Sequence, residues 1–136
     1  DGNTESKLSI TGDDHSFGNK SGVVIVDKEN DDVEFTNESY FNNSNNKGGN
    51  VYLEFDYKSE EAIYVGTQTN TFGAEILQYK VVLSPTDVWK RAYINLTDEI
   101  SRPGVVSYRP VFRVLYEKKQ KESARAYLDN VKMVHF

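Results

Sequence analysis

Apolar and polar residues alternate strictly through Val51-Tyr52-Leu53-Glu54-Phe55-Asp56-Tyr57-Lys58, so Val51, Leu53, Phe55 and Tyr57 share one face and Tyr52, Glu54, Asp56 and Lys58 the other. A period of two is that of a strand with one side buried. The same period recurs in Leu77 to Leu83, Lys90 to Leu96 and Tyr108 to Val114. Shorter runs at Lys7 to Ile10, Gly22 to Val26, Val33 to Phe35 and Ala62 to Thr67, with a closing run from Ser123 to Val134, bring the expected total to eight or nine strands. Helical structure is expected only as one turn at Thr97-Asp98-Glu99-Ile100.

Turn-forming clusters punctuate these runs at Gly12-Asp13-Asp14, Asp27 to Asp32, Asn42 to Asn50, Thr69-Asn70-Thr71, Ser84 to Asp87 and Ser101 to Gly104. Many short strands at this spacing predict an all-β antiparallel β-sandwich, with residues 1–136 forming a single domain. Pro110 lacks a ladder donor, which predicts an edge strand or a bulge there. Asn42 to Asn50 has no apolar anchor to repay the entropy of ordering and is expected to be a flexible loop.

Composition narrows the function classes. The 136 residues contain no cysteine, which removes thiol catalysis and zinc-thiolate sites. Sixteen basic against 21 acidic residues give a net charge of −5 without a basic tract, so neither nucleic acid nor an anionic membrane is expected as a partner. No apolar run is long enough to span a bilayer. His15 and His135 lie near the two termini with no metal-ligand spacing, so zinc is not supported, and no phosphate-binding glycine motif supports a nucleotide. Asp27 to Asp32 is acidic, and Glu38 stands at the terminal Glu position of a helix-loop-helix calcium loop, but Asp32 stands where that loop needs Gly.

Three patterns carry chemistry. Glu54 and Asp56 project from one strand face at a separation that glycosidases use, yet Lys58 and Ser59 stand where a third carboxylate would fall, so a polar stripe is the stronger reading. Arg91, Arg109, Arg113 and Arg125 fall on polar strand faces with Tyr93 and Tyr127, and Tyr52 lies on a similar face. Aromatic rings stack on the C–H faces of a pyranose while fixed donors read its hydroxyls, so such a face suits a sugar; a plain sheet surface with cross-strand ion pairs is the alternative. Trp89 opens its strand just after a turn, where a lone Trp more often plugs one end of a sandwich core than stacks on a ligand.

The segments Val51 to Lys58, Trp89 to Thr97 and Ala126-Tyr127-Leu128-Asp129-Asn130-Val131-Lys132, the last with a hydrophobic-Asp-Asn-hydrophobic signature, resemble Bacteroidetes surface-lipoprotein modules with a carbohydrate-binding, galactose-binding-like jelly roll. The resemblance implies a jelly-roll β-sandwich acting as a non-catalytic carbohydrate-binding accessory module of an exported or cell-surface protein, lipid-anchored in its full-length form. Tyr52, Trp89, Tyr93, Arg109 and Arg113 are then the candidate ligand-binding residues. It also implies a structural calcium at Asp129, with Asp13 or Asp14 as a partner; bonding of Asp129 and Asn130 to nearby backbone at a bulge is the alternative. A structural or adhesive sandwich that binds another protein, and more remotely a small jelly-roll glycosidase, are the competing functions.

Overall fold

The computed structural model describes residues 8–11, 21–36, 40–43 and 49–135. The expected loop Asn42 to Asn50 lies in large part outside the described residues, as do Asp13, Asp14 and His15. Two antiparallel sheets pack face to face. One has the order β1 (Leu8–Thr11), β2 (Ser21–Asp27), β10 (Ser123–His135), β5 (Val51–Ser59), β8 (Thr86–Asn95). The other runs β3 (Asp32–Thr36), β9 (Val105–Leu115), β6 (Ile63–Thr71), β7 (Ala74–Leu83), with the two-residue β4 (Phe41–Asn42) also paired to β9. A single helical turn, α1 (Thr97–Ile100), follows β8. The chain is thus a jelly-roll β-sandwich, with nine strands of four residues or more among the described residues.

The alternation read from the sequence points Val51, Leu53, Phe55 and Tyr57 into the core, where they meet Val24, Val26, Ala126 and Leu128 from the same sheet and Val33, Ile63, Val65, Phe112 and Val114 from the other. Phe112 ties the layers together. Its ring stacks on Phe35 at 5.2 Å and meets the edge of Phe55 across the sandwich, also at 5.2 Å.

Three local expectations change. The polar Thr69-Asn70-Thr71 is the end of β6 rather than a turn, because ladders with both β7 and β9 satisfy its backbone, and the chain reverses at Phe72-Gly73. Pro110 is neither on an edge strand nor at a bulge: β9 lies between β3 and β6. On the β3 side its carbonyl accepts the Thr36 hydroxyl. Trp89 does not plug the core; it stands half-buried on an outer face beside Tyr127, ring centres 6.3 Å apart. The helical turn at Thr97 is present, though the Thr97 hydroxyl accepts the Val51 N–H at 3.0 Å and the Asn95 side chain takes the Thr97 N–H at 2.9 Å.

Candidate binding face

The five candidate ligand residues divide between two surfaces. Tyr52, Trp89 and Tyr93 lie on the outer face of the β1-β2-β10-β5-β8 sheet, whereas Arg109 and Arg113 lie on the outer face of the β3-β9-β6-β7 sheet. They do not form one site.

The second of these faces is the more completely built. Cross-strand pairing lines up Glu34, Arg113, Tyr64 and Val82 in one row, Thr36, Val111, Gly66 and Tyr79 in the next, and Arg109, Gln68 and Leu77 beyond them. Arg113 holds Asp32 through two hydrogen bonds, Nε to Oδ1 at 2.7 Å and Nη2 to Oδ2, and lies 6.0 Å from the Tyr79 ring centre. Tyr79 donates to Glu34 at 2.5 Å, and its ring meets Tyr64 edge-on at 6.3 Å. One row away, both Arg109 Nε and Nη2 donate to Gln68 Oε1, at 2.9 and 2.8 Å. The Arg109 guanidinium lies 4.3 Å from the Tyr40 ring centre, and Tyr40 donates to Glu75 at 2.9 Å.

These bonds fix rings and donors in place. Burial, then the Glu34 hydrogen bond, pushes the Tyr79 hydroxyl above its usual range, and the Asp32 hydrogen bond raises the Arg113 guanidinium further still. Tyr40 and Tyr64 are shifted upward too, burial being the larger cause in each. All three tyrosines therefore stay protonated donors and the arginine stays charged near neutral pH.

Sequence reading missed Tyr40, Tyr64 and Tyr79. For Tyr79 the reason is a bulge: Val65 pairs with Val81 but Gly66 with Tyr79, leaving Lys80 unpaired. That extra residue reverses the side-chain phase, so Tyr79 faces outward while Val81 and Leu83 pack on the core. Lys80 instead reaches α1, where it pairs with Glu99 at 2.9 Å.

On the opposite sheet, Asp56 is only 3% exposed and is bound by Arg91 Nε at 2.9 Å, Arg91 Nη2 at 3.1 Å and Asn130 Nδ2 at 2.8 Å. Its neighbour Glu54 pairs with Lys132 at 3.3 Å. Asp129 Oδ1 accepts the Asn130 N–H at 2.8 Å where the β10 and β5 register slips, and Asn130 has a positive φ of 53°. Among the described residues no group of three His, Cys, Asp or Glu is placed to hold a metal ion. His135 meets the Tyr108 hydroxyl through Nε2.

The architecture is that of a class of jelly rolls found among carbohydrate-binding modules. A family 30 carbohydrate-binding module of a cellulosomal cellulase from Clostridium thermocellum superposes with a TM-score of 0.66 at 20% identity, covering 95% of this chain and 82% of that one. A family 16 module gives 0.58 at 14% identity, covering 96% and 86%. A family 61 module solved with β-1,4-galactotriose gives 0.54 at 12% identity, covering 96% and 83%. No family profile matches the chain, and no curated protein matches it.

Proposed function

We propose that the chain is a non-catalytic carbohydrate-binding module that takes its glycan on the outer face of the β3-β9-β6-β7 sheet. The observation that carries the reading is the grouping of Tyr40, Tyr64 and Tyr79 with Arg109, Arg113 and Gln68 on that one face, each side chain held by a neighbour. Rings supply area for pyranose C–H faces, and the guanidinium and amide groups supply fixed donors for hydroxyls, which is the mixture sugar sites need. Structural likeness to modules whose names state carbohydrate binding supports it, including one solved with a galactotriose.

A glycan-array screen followed by calorimetry on the best hit tests the proposal. Tyr79→Ala and Arg109→Ala are each expected to weaken binding about tenfold or more, roughly the worth of one stacked ring or one charge-assisted hydrogen bond. A blank array, or a hit that both variants leave unchanged, overturns it. The exported, surface-attached context belongs to the same proposal, and so does calcium at Asp129 with Asp13 or Asp14 as partner ligands. A melting temperature that rises with added calcium and falls on chelation is the result that supports the metal.

A protein partner is the second reading, favoured by β7, an edge strand on which Ile76, Leu77 and Val82 are exposed. It predicts the blank array.

A further inference from the structure

At one end of the sandwich, the β9–β10 loop, the end of β5 and the starts of β8 and β10 line a cleft of about 860 Å³. Its lining contains five cations, Lys58, Lys118, Lys119, Lys121 and Arg125, against three carboxylates, Glu60, Glu61 and Asp87. The excess stands out in a chain whose net charge is −5. Two of those carboxylates are committed to holding the loop. Glu61, 2% exposed, accepts the backbone N–H groups of Glu117 and Lys118 through Oε2 at 2.9 and 3.0 Å. Glu60 accepts Lys121 Nζ at 2.5 Å and the Arg125 N–H at 2.9 Å, and the Tyr116 hydroxyl closes the loop onto the Lys121 carbonyl. The loop is thereby preorganised with Lys118 and Lys119 exposed.

The cleft also has an aromatic wall. Tyr127 lines it, with Lys58 Nζ 5.9 Å from its ring centre and the Trp89 ring 6.3 Å away on the sheet face beyond. Cations beside an aromatic pair suit a ligand that carries a negative charge on a ring with apolar C–H faces; an acidic peptide would use the charges and leave the rings idle. We propose that this end cleft is a second binding site, specific for an acidic oligosaccharide, with Lys58, Lys118, Lys119 and Arg125 holding its carboxylate or sulfate ester and Tyr127 with Trp89 stacking on the adjoining sugar ring.

Calorimetry on the full chain tests this with four probes. Oligogalacturonate carries ring and carboxylate, its fully methyl-esterified form keeps the ring without the charge, a chondroitin sulfate tetrasaccharide adds the sulfate ester, and polyglutamate has charge without a ring. Binding by at least one acidic sugar is expected, at least about tenfold tighter than the methyl ester or polyglutamate, with loss of about tenfold in Lys118→Gln/Lys119→Asn and again in Tyr127→Ala. Asn is chosen at 119 because that residue has a positive φ of 55°. No binding by either acidic sugar, polyglutamate binding as tight as both, or an unchanged loop variant of wild-type melting temperature overturns the proposal. Tyr79→Ala leaves acidic-sugar binding intact, so failure of this site and failure of the sheet-face site are read separately.

Discussion

The candidate face depends at its centre on a residue with no side chain. A Cβ at Gly66 would fall 2.0 Å from the Gln78 carbonyl oxygen and 2.5 Å from the Tyr79 Cα, both backbone atoms that cannot swing away. The β7 bulge brings that backbone close, and the bulge is also what turns Tyr79 outward, so the two features stand together. Gly66→Ala is therefore expected to destabilise the chain by about 1–3 kcal/mol and to weaken glycan binding on this face, because relief of the clash moves Tyr79. Urea unfolding and calorimetry check it; a variant as stable as the wild type would show that β7 yields without cost. Asp56 shows the opposite behaviour of a residue. Its alternation placed it on a polar face, correctly, but burial to 3% and three hydrogen bonds fit it for holding β5, β8 and β10 together rather than for accepting or giving a proton in catalysis.

At the scale of elements, period-two alternation located the long strands because each buries one face, and that burial writes itself into the sequence. It could not find β4, two residues long with no period to show, nor the far end of β6, where pairing on both sides overrides the turn preference of Thr69-Asn70-Thr71. The β9–β10 loop was legible only as polar chain; its hold on Glu60 and Glu61, more than 50 residues earlier, is a long-range fact. That hold has a pH signature. The Lys121 hydrogen bond, followed in effect by the Arg125 N–H and both positive charges, outweighs burial and keeps the Glu60 carboxyl below its ordinary value of 4.5. A carboxyl depressed on folding contributes stability above its unfolded value and loses it as pH falls through the folded one. The melting temperatures of wild type and Glu60→Gln should therefore differ at pH 6 and converge as pH drops below about 4.5; a gap that stays constant to pH 3 would remove Glu60 from the account.

At the scale of the whole molecule, the sandwich sets its chemistry on two separated surfaces. Sequence reading collected Tyr52, Trp89, Tyr93, Arg109 and Arg113 as one set because each stands on the polar side of a strand, but sheet membership depends on pairing between strands far apart in the chain, as when β9 pairs with both β3 and β6. Between the outer faces lies a core closed by Phe55, Phe112 and the rows of Val and Leu around them, with rings locked at 5.2 Å. A close-packed core of this kind has no second arrangement through which occupancy of one face could bias the other. Tyr79 reports on the β3-β9-β6-β7 face and Lys118 and Lys119 on the end cleft; Tyr79 touches Glu34, Arg113 and Tyr64, none of which lines the cleft, and the link between the two is the Tyr64 hydroxyl, which donates to Glu117 beside Lys118 at 3.2 Å. Binding of a neutral glycan to the sheet face and of an acidic one to the cleft should then be independent. In a double-mutant cycle of Tyr79→Ala with Lys118→Gln/Lys119→Asn, the effects on each ligand should add to within about 0.5 kcal/mol, the scatter expected of sites without common neighbours. Saturating the protein with one ligand should leave the affinity for the other unchanged by the same measure. A coupling well above that value would mean that a single extended ligand path runs around the edge of the sandwich, joining the two surfaces.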